Sequence, residues 1–177
     1  VSRLAWALAA TGWAMAAAAL AAAGRARRTA ETDPLTGLPN RRGLARAWQR
    51  ARGDASLHFL DLSGFRAVNG AHGHAVGDRV LAEVARRLAA ALPAGAMLAR
   101  HGGDEFVVLA PPEADPAPAL AAALAAPVRL PDGGSVTLGL WLGAAPAGSG
   151  SLERALAAAV ADMRRRRLAA SAPVQAA

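Results

Sequence analysis

Residues 97–110 read MLARHGGDEFVVLA. Met97–Arg100 and Phe106–Ala110 have strand character, and the His101–Glu105 segment between them is rich in turn-forming glycine. The spacing predicts a β-hairpin with two carboxylates, Asp104 and Glu105, at its tip. Upstream, Leu57–Leu62 (LHFLDL) reads as a buried strand that ends on a third carboxylate, Asp61. If that strand lies beside the hairpin, the three acids converge. Converging carboxylates repel, and a divalent cation with oxygen preference relieves the repulsion. A Gly-Gly-Asp turn taken alone is better explained as an ordinary hairpin; the residues around it carry the functional reading.

Working outward, Gly43–Arg52 has a helical pattern. Val76, Val80, Leu81, Val84 and Leu88 recur at helical spacing within 76–92. Ala119–Ala126 and Leu152–Leu168 read as two further helices, after a loop over 111–118. Val128–Leu130 and Val136–Leu142 read as strands around Asp132-Gly133-Gly134. This order predicts an α/β (α+β) sandwich, its mostly antiparallel central sheet covered by helices on one face.

The 177 residues suffice for one compact domain with an appendage. There is no cysteine, which excludes disulfides and thiol-based metal or redox chemistry. The net charge is +7, with arginine as the only basic residue besides histidine. The arginines lie mostly at the chain ends and on predicted helices with little aromatic interleaving, so nucleic acid is not an expected partner. A phosphorylated ligand or an anionic membrane surface accounts for the charge equally well.

Leu4–Ala23 carries no charge and, as a helix, would span about 30 Å, the thickness of a bilayer core. Trp6 stands near its outer end, and Arg25, Arg27 and Arg28 follow it. The expectation is a single transmembrane helix over 1–24, anchored in the cytoplasmic (inner) membrane with the rest of the chain in the cytoplasm. A cleaved signal peptide is the competing reading, with Ala21–Ala23 as its site. Residues 25–32 would form a linker helix, 33–168 the folded domain and 169–177 a disordered tail.

Around the acids, Leu62-Ser63-Gly64-Phe65 follows Asp61 as a turn whose N–H groups would cradle phosphate oxygens. Arg66 would pair with phosphate. Asn69 and Asp78 have donors and acceptors suited to a guanine edge, although a turn and a helix cap explain them as well. His58, His72, His74 and His101 read as structural.

Four ordered blocks, DPLTGLPNRR (33–42), DLSGFRAVN (61–69), GHAVGDRVL (73–81) and RHGGDEF (100–106), make the chain resemble the GGDEF family of diguanylate cyclases. The resemblance implies a fold related to the palm of nucleotide cyclases and polymerases. It implies condensation of two GTP into cyclic di-GMP across a homodimer, with two Mg²⁺ per half-site and Mn²⁺ as an alternative. Asp61, Asp104 and the Leu62 carbonyl would hold the metals, with Glu105 as a further ligand or an aid to deprotonation. Phe65 and Arg66 would face the phosphates, Asn69 and Asp78 would read guanine, and Gly102 and Gly103 would lie near the sugar and α-phosphate.

The chain departs from the family pattern at several places. Ser63 replaces an acid, Arg66 a lysine, and Gly139 and Trp141 stand where serine and glycine are usual. On the final helix Met163 falls at a triphosphate-binding lysine, and Arg167 at the matching arginine. Arg164, Arg165 or Arg166 are candidates to compensate. Pro93–Ala96 stands where many relatives carry Arg-x-x-Asp, so tight product inhibition by that route is not expected. A non-catalytic GGDEF domain that binds GTP or serves regulatory dimerisation is the alternative function.

Overall fold

Strand β1 (Ser56–Ser63) is buried on both faces over most of its length, as a central strand carrying Leu57, Phe59, Leu60 and Leu62 requires. The computed structural model describes residues 3–51 and 53–171, apart from the side chains of residues 3–12, 14, 25, 27, 28 and 171. Around β1 the main sheet has the order β2-β3-β1-β6, with β2 at Met97–Gly102, β3 at Glu105–Ala110 and β6 at Gly139–Ala145. All its pairings are antiparallel.

Helices cover both faces of this sheet, not one. On one side Leu60, Leu62, Phe106 and Val108 pack against α3 (Phe65–His72), α4 (His74–Ala90) and α5 (Ala117–Ala125). On the other, Leu57, Phe59, Val107 and Leu109 meet α2 (Arg41–Ala51) and α6 (Leu152–Ser171). Phe106 is wholly buried, a contribution of about 2–3 kcal/mol. Trp48 packs α2 into this second layer.

Three local expectations change. The turn expected over Leu62–Phe65 leads into a helix, α3, entered through Gly64 in the left-handed region (φ 91°), a conformation glycine adopts without steric cost. The strand expected over 136–142 divides. Ser135–Val136 (β5) pairs with Val128–Arg129 (β4) as a small separate hairpin, and β6 begins afresh at Gly139 on the main sheet. Asp61 lies two residues before the end of its strand.

Residues Arg3–Glu31 form one continuous helix, α1, through the expected span and linker alike. The transmembrane expectation, and with it the membrane localisation, finds no support. Among the described residues no helix is long and apolar enough to cross a membrane. The stretch is lengthened mainly by alanine, which removes little apolar surface from water per residue. Trp6 lies outside the described side chains, while Trp13, Met15 and Leu20 are exposed. The last helix runs to Ser171, and the rest of the expected tail lies outside the described residues.

Candidate active site

The hairpin sets the acids beside β1 by register. Asp61 pairs with Glu105 across β1 and β3, and the Leu62 N–H donates to the Asp104 carbonyl (3.3 Å). On its other side Asp61 pairs with Trp141 of β6. The result is a cleft of about 480 Å³ lined by Asp61, Leu62, Ser63, Gly64, Arg66, Asp104, Glu105, Trp141 and Arg167. Six residues expected at a phosphate and metal site therefore meet in one place: three acids, the Leu62 backbone, Arg66 and Arg167.

Three carboxylates concentrate negative charge in the cleft. Burial raises the Asp61 carboxyl above its ordinary value, the Asp104 and Glu105 charges push the same way, and Arg167 offsets part of the rise. A raised carboxyl means that ionised Asp61 costs the folded state. The stabilisation it gives when protonated is present in full below its unfolded pKa and is lost as pH rises through the folded value. At neutral pH, Asp61→Asn is accordingly expected to raise the Tm of the metal-free protein by about 2 °C. The same variant should lose the additional Tm rise that millimolar Mg²⁺ gives the unaltered chain. Thermal unfolding with and without Mg²⁺ measures both, and an unchanged Mg²⁺ response would remove Asp61 from the metal site.

Among the described residues no group of three or more acidic or histidine side chains is already arranged to hold an ion. Mg²⁺ commonly takes one or two carboxylates and completes its octahedron with water and substrate phosphate. The repelling pair Asp61 and Asp104, with the Leu62 backbone on the same wall, meets that requirement.

The remaining expected residues lie elsewhere. Phe65 is buried in the core, so only its backbone is available to a ligand. Asn69 sits on α3 with its amide against Gly77, and Asp78 is exposed on the first turns of α4. Gly102 and Gly103 border a neighbouring hollow with Asp33, Asn40, Arg41, Arg42, Arg100 and His101. There Arg100 joins the start of the domain to the signature turn. Its guanidinium donates to both Asp33 carboxylate oxygens (3.0 and 3.1 Å) and to the Gly103 carbonyl (3.1 and 2.9 Å). Burial opposes ionisation of Asp33, but hydrogen bonds from Thr36 and Arg100 overcome it and hold the carboxyl below its ordinary value.

On α6, Met163 is buried in the core, and Arg165 and Arg166 are both bound to Asp162 (3.0 and 2.8 Å). Arg164 is exposed and does not line the cleft, so among the described α6 cations Arg167 alone reaches it. The histidines form no metal cluster among the described residues. His58 bonds Ser56 (3.0 Å), and His101 meets the Phe59 ring edge-on. Sequence reasoning missed the bridging role of Arg100 and the place of Trp141 in the cleft wall. The latter was signalled only by a large ring on the strand read over Val136–Leu142.

The family model described as "Diguanylate cyclase, GGDEF domain" matches residues 30–130. The chain belongs to the GGDEF family. The diguanylate cyclase TpbB of Pseudomonas aeruginosa is 41% identical over 129 residues, which are 66% of this chain and 30% of TpbB. A sensory box/GGDEF family protein from Caulobacter crescentus superposes with a TM-score of 0.69 at 35% identity, over 78% of this chain and 99% of that one. A TpbB fragment comprising only its GGDEF domain gives 0.62 at 34%, over 76% and 89%. The chain thus spans under a third of TpbB but nearly all of an isolated GGDEF domain. The GGDEF signature itself, Gly102–Phe106, is the turn that brings Asp104 and Glu105 to β1.

Proposed function

We propose that this GGDEF domain is a diguanylate cyclase that condenses two GTP into cyclic di-GMP and releases two pyrophosphates. The observation that carries the reading is the convergence of Asp61, Asp104 and Glu105 in one cleft that also takes Arg66 and Arg167. Acids and guanidinium groups lining one cleft suit a magnesium–triphosphate. Mg²⁺, held by Asp61, Asp104 and the Leu62 carbonyl, would supply charge neutralisation and lower the pKa of the attacking hydroxyl.

The chain's own groups do the rest. Arg66 and Arg167 bind phosphate oxygens, and the turn into α3 offers N–H donors to them. Asn69 and Asp78 hold the base, and Gly102 and Gly103 let the sugar approach the backbone. Glu105 ligates metal or receives the 3′-hydroxyl proton. Each 3′-oxygen bonds the α-phosphorus of the GTP on the other subunit, the α–β phosphoanhydride bond breaks, and pyrophosphate leaves. A single subunit cannot close the ring, so a homodimer with the two clefts facing each other is part of the proposal.

The test is the full chain with GTP and Mg²⁺, assayed for cyclic di-GMP and pyrophosphate in a 1:2 ratio. The rate per subunit is expected to rise with protein concentration. Added cyclic di-GMP at low micromolar levels should leave the rate within about twofold, because Pro93–Ala96 forms a turn without charged side chains. GTP binding without product would favour the second reading, a non-catalytic nucleotide-binding domain. The specific observation behind that alternative is Met163, buried where a phosphate-binding lysine is usual.

A further inference from the structure

Two departures from the family pattern bear on the cleft. Met163 removes one cation from α6, and Trp141 adds a ring to β6. Trp141 stands opposite Asp61 in register and so shares its face of the sheet. The Arg167 guanidinium carbon lies 5.7 Å from the Trp141 ring centroid, within reach of cation–π attraction, which is strongest for tryptophan. Both residues line the cleft with the acids. Arg165 and Arg166 are committed to Asp162.

We propose that Trp141 is a positioning residue for the triphosphate: its indole holds the Arg167 guanidinium over the carboxylate cleft and takes over part of the orienting work of the missing lysine. The proposal rests on the cyclase reading for what the cleft binds. The physical argument is pre-organisation. Arg167 lies near the C-terminal end of α6 on a long side chain with many rotamers. A ring that draws in the guanidinium removes wrong rotamers before the nucleotide arrives. A guanidinium that meets a ring with its face keeps its N–H donors in plane for phosphate oxygens. A lysine at position 167 would keep the charge and the attraction to the ring but lose the planar fork of donors.

The experiment measures binding of the non-hydrolysable α,β-methylene analogue of GTP to the full chain with Mg²⁺ by calorimetry, beside KM and kcat for GTP. Trp141→Leu is expected to weaken the analogue about fivefold, and Trp141→Phe, which keeps a weaker ring, about twofold. In an Arg167→Gln background Trp141→Leu should add nothing, because the ring has lost the group it acts through. Circular dichroism and Tm of each variant guard against misfolding, and the Phe variant keeps the test open if Leu fails to fold. No effect of Trp141→Leu, or the same effect in both backgrounds, overturns the assignment. If the coupling is seen but no cyclic di-GMP forms, the cyclase reading fails and the Trp141 role stands. If product forms and the two effects add, the Trp141 role alone fails. Absence of analogue binding by the unaltered chain overturns both.

Discussion

Asp104→Ala is expected to lower cyclic di-GMP formation by about 10³-fold or more while leaving the fold in place. Asp104 occupies the tip of the β2–β3 turn, half-buried and outside both core clusters. Its removal therefore opens no cavity. The loss falls on chemistry. Asp104 is the strongest charged neighbour acting on Asp61, and the two form the carboxylate pair proposed to hold the cation. With Asp104 gone, Asp61 and Glu105 hold a weakly bound, hydrated ion that neither orients the α-phosphate nor activates the hydroxyl. Relief of the repulsion on Asp61 should leave the Tm of the metal-free protein equal or slightly raised. Steady-state product formation at saturating Mg²⁺, beside a thermal melt, checks both halves. Retained turnover would remove Asp104 from the metal role; a large fall in Tm would mean that the turn depends on its side chain.

The acids were legible in the sequence for a physical reason. A strand ending on Asp61 and a turn carrying Asp104 and Glu105 can be brought together by adjacent pairing alone, and β1 and β3 do pair. The layers were less legible. Ala155 and Ala159 make α6's buried stripe out of the same residue type that fills its exposed side, so periodicity gives no contrast and a second covered face could not be read. Helix α3 was hidden because Leu62–Phe65 and Asn69 read as turn residues, whereas Phe65 and Val68 anchor a helix there. The division of the late strand at Thr137–Leu138 turns on tertiary placement: Leu138 is buried in the first layer while β5 leaves to pair with β4. Alanine misled in α1 also, where an uncharged run read as a span. The pairing of Trp141 with Arg167 joins residues on two elements whose register the sequence does not state.

Gly143→Ala is expected to destabilise the protein by about 3 kcal/mol, a fall of about 6–12 °C in Tm, and to weaken nucleotide binding with it. A Cβ at position 143 would stand 2.2 Å from the Ala159 carbonyl oxygen, 2.2 Å from the Met163 nitrogen and 2.7 Å from the Met163 Cα. All three are backbone atoms of α6, so no rotamer relieves the clash and the helix itself must lift from β6. Lifting it breaks the contacts of Ala155, Ala159 and Met163 with the second layer. It also carries Arg167, one turn beyond Met163, away from Trp141 and the acids. Stability and binding should therefore fall together, unlike in Asp104→Ala, where they separate. Gly70→Ala supplies the matched control. Gly70 is exposed on α3 with nothing within 4 Å of its would-be Cβ, and the same change there should stabilise by up to about 1 kcal/mol. Differential scanning calorimetry of the two variants separates the close approach from the generic effect of losing a glycine. A Gly143→Ala melt within 1 °C of the unaltered chain would mean that α6 does not rest on β6 at this point, and the placement of Arg167 in the cleft would fall with it.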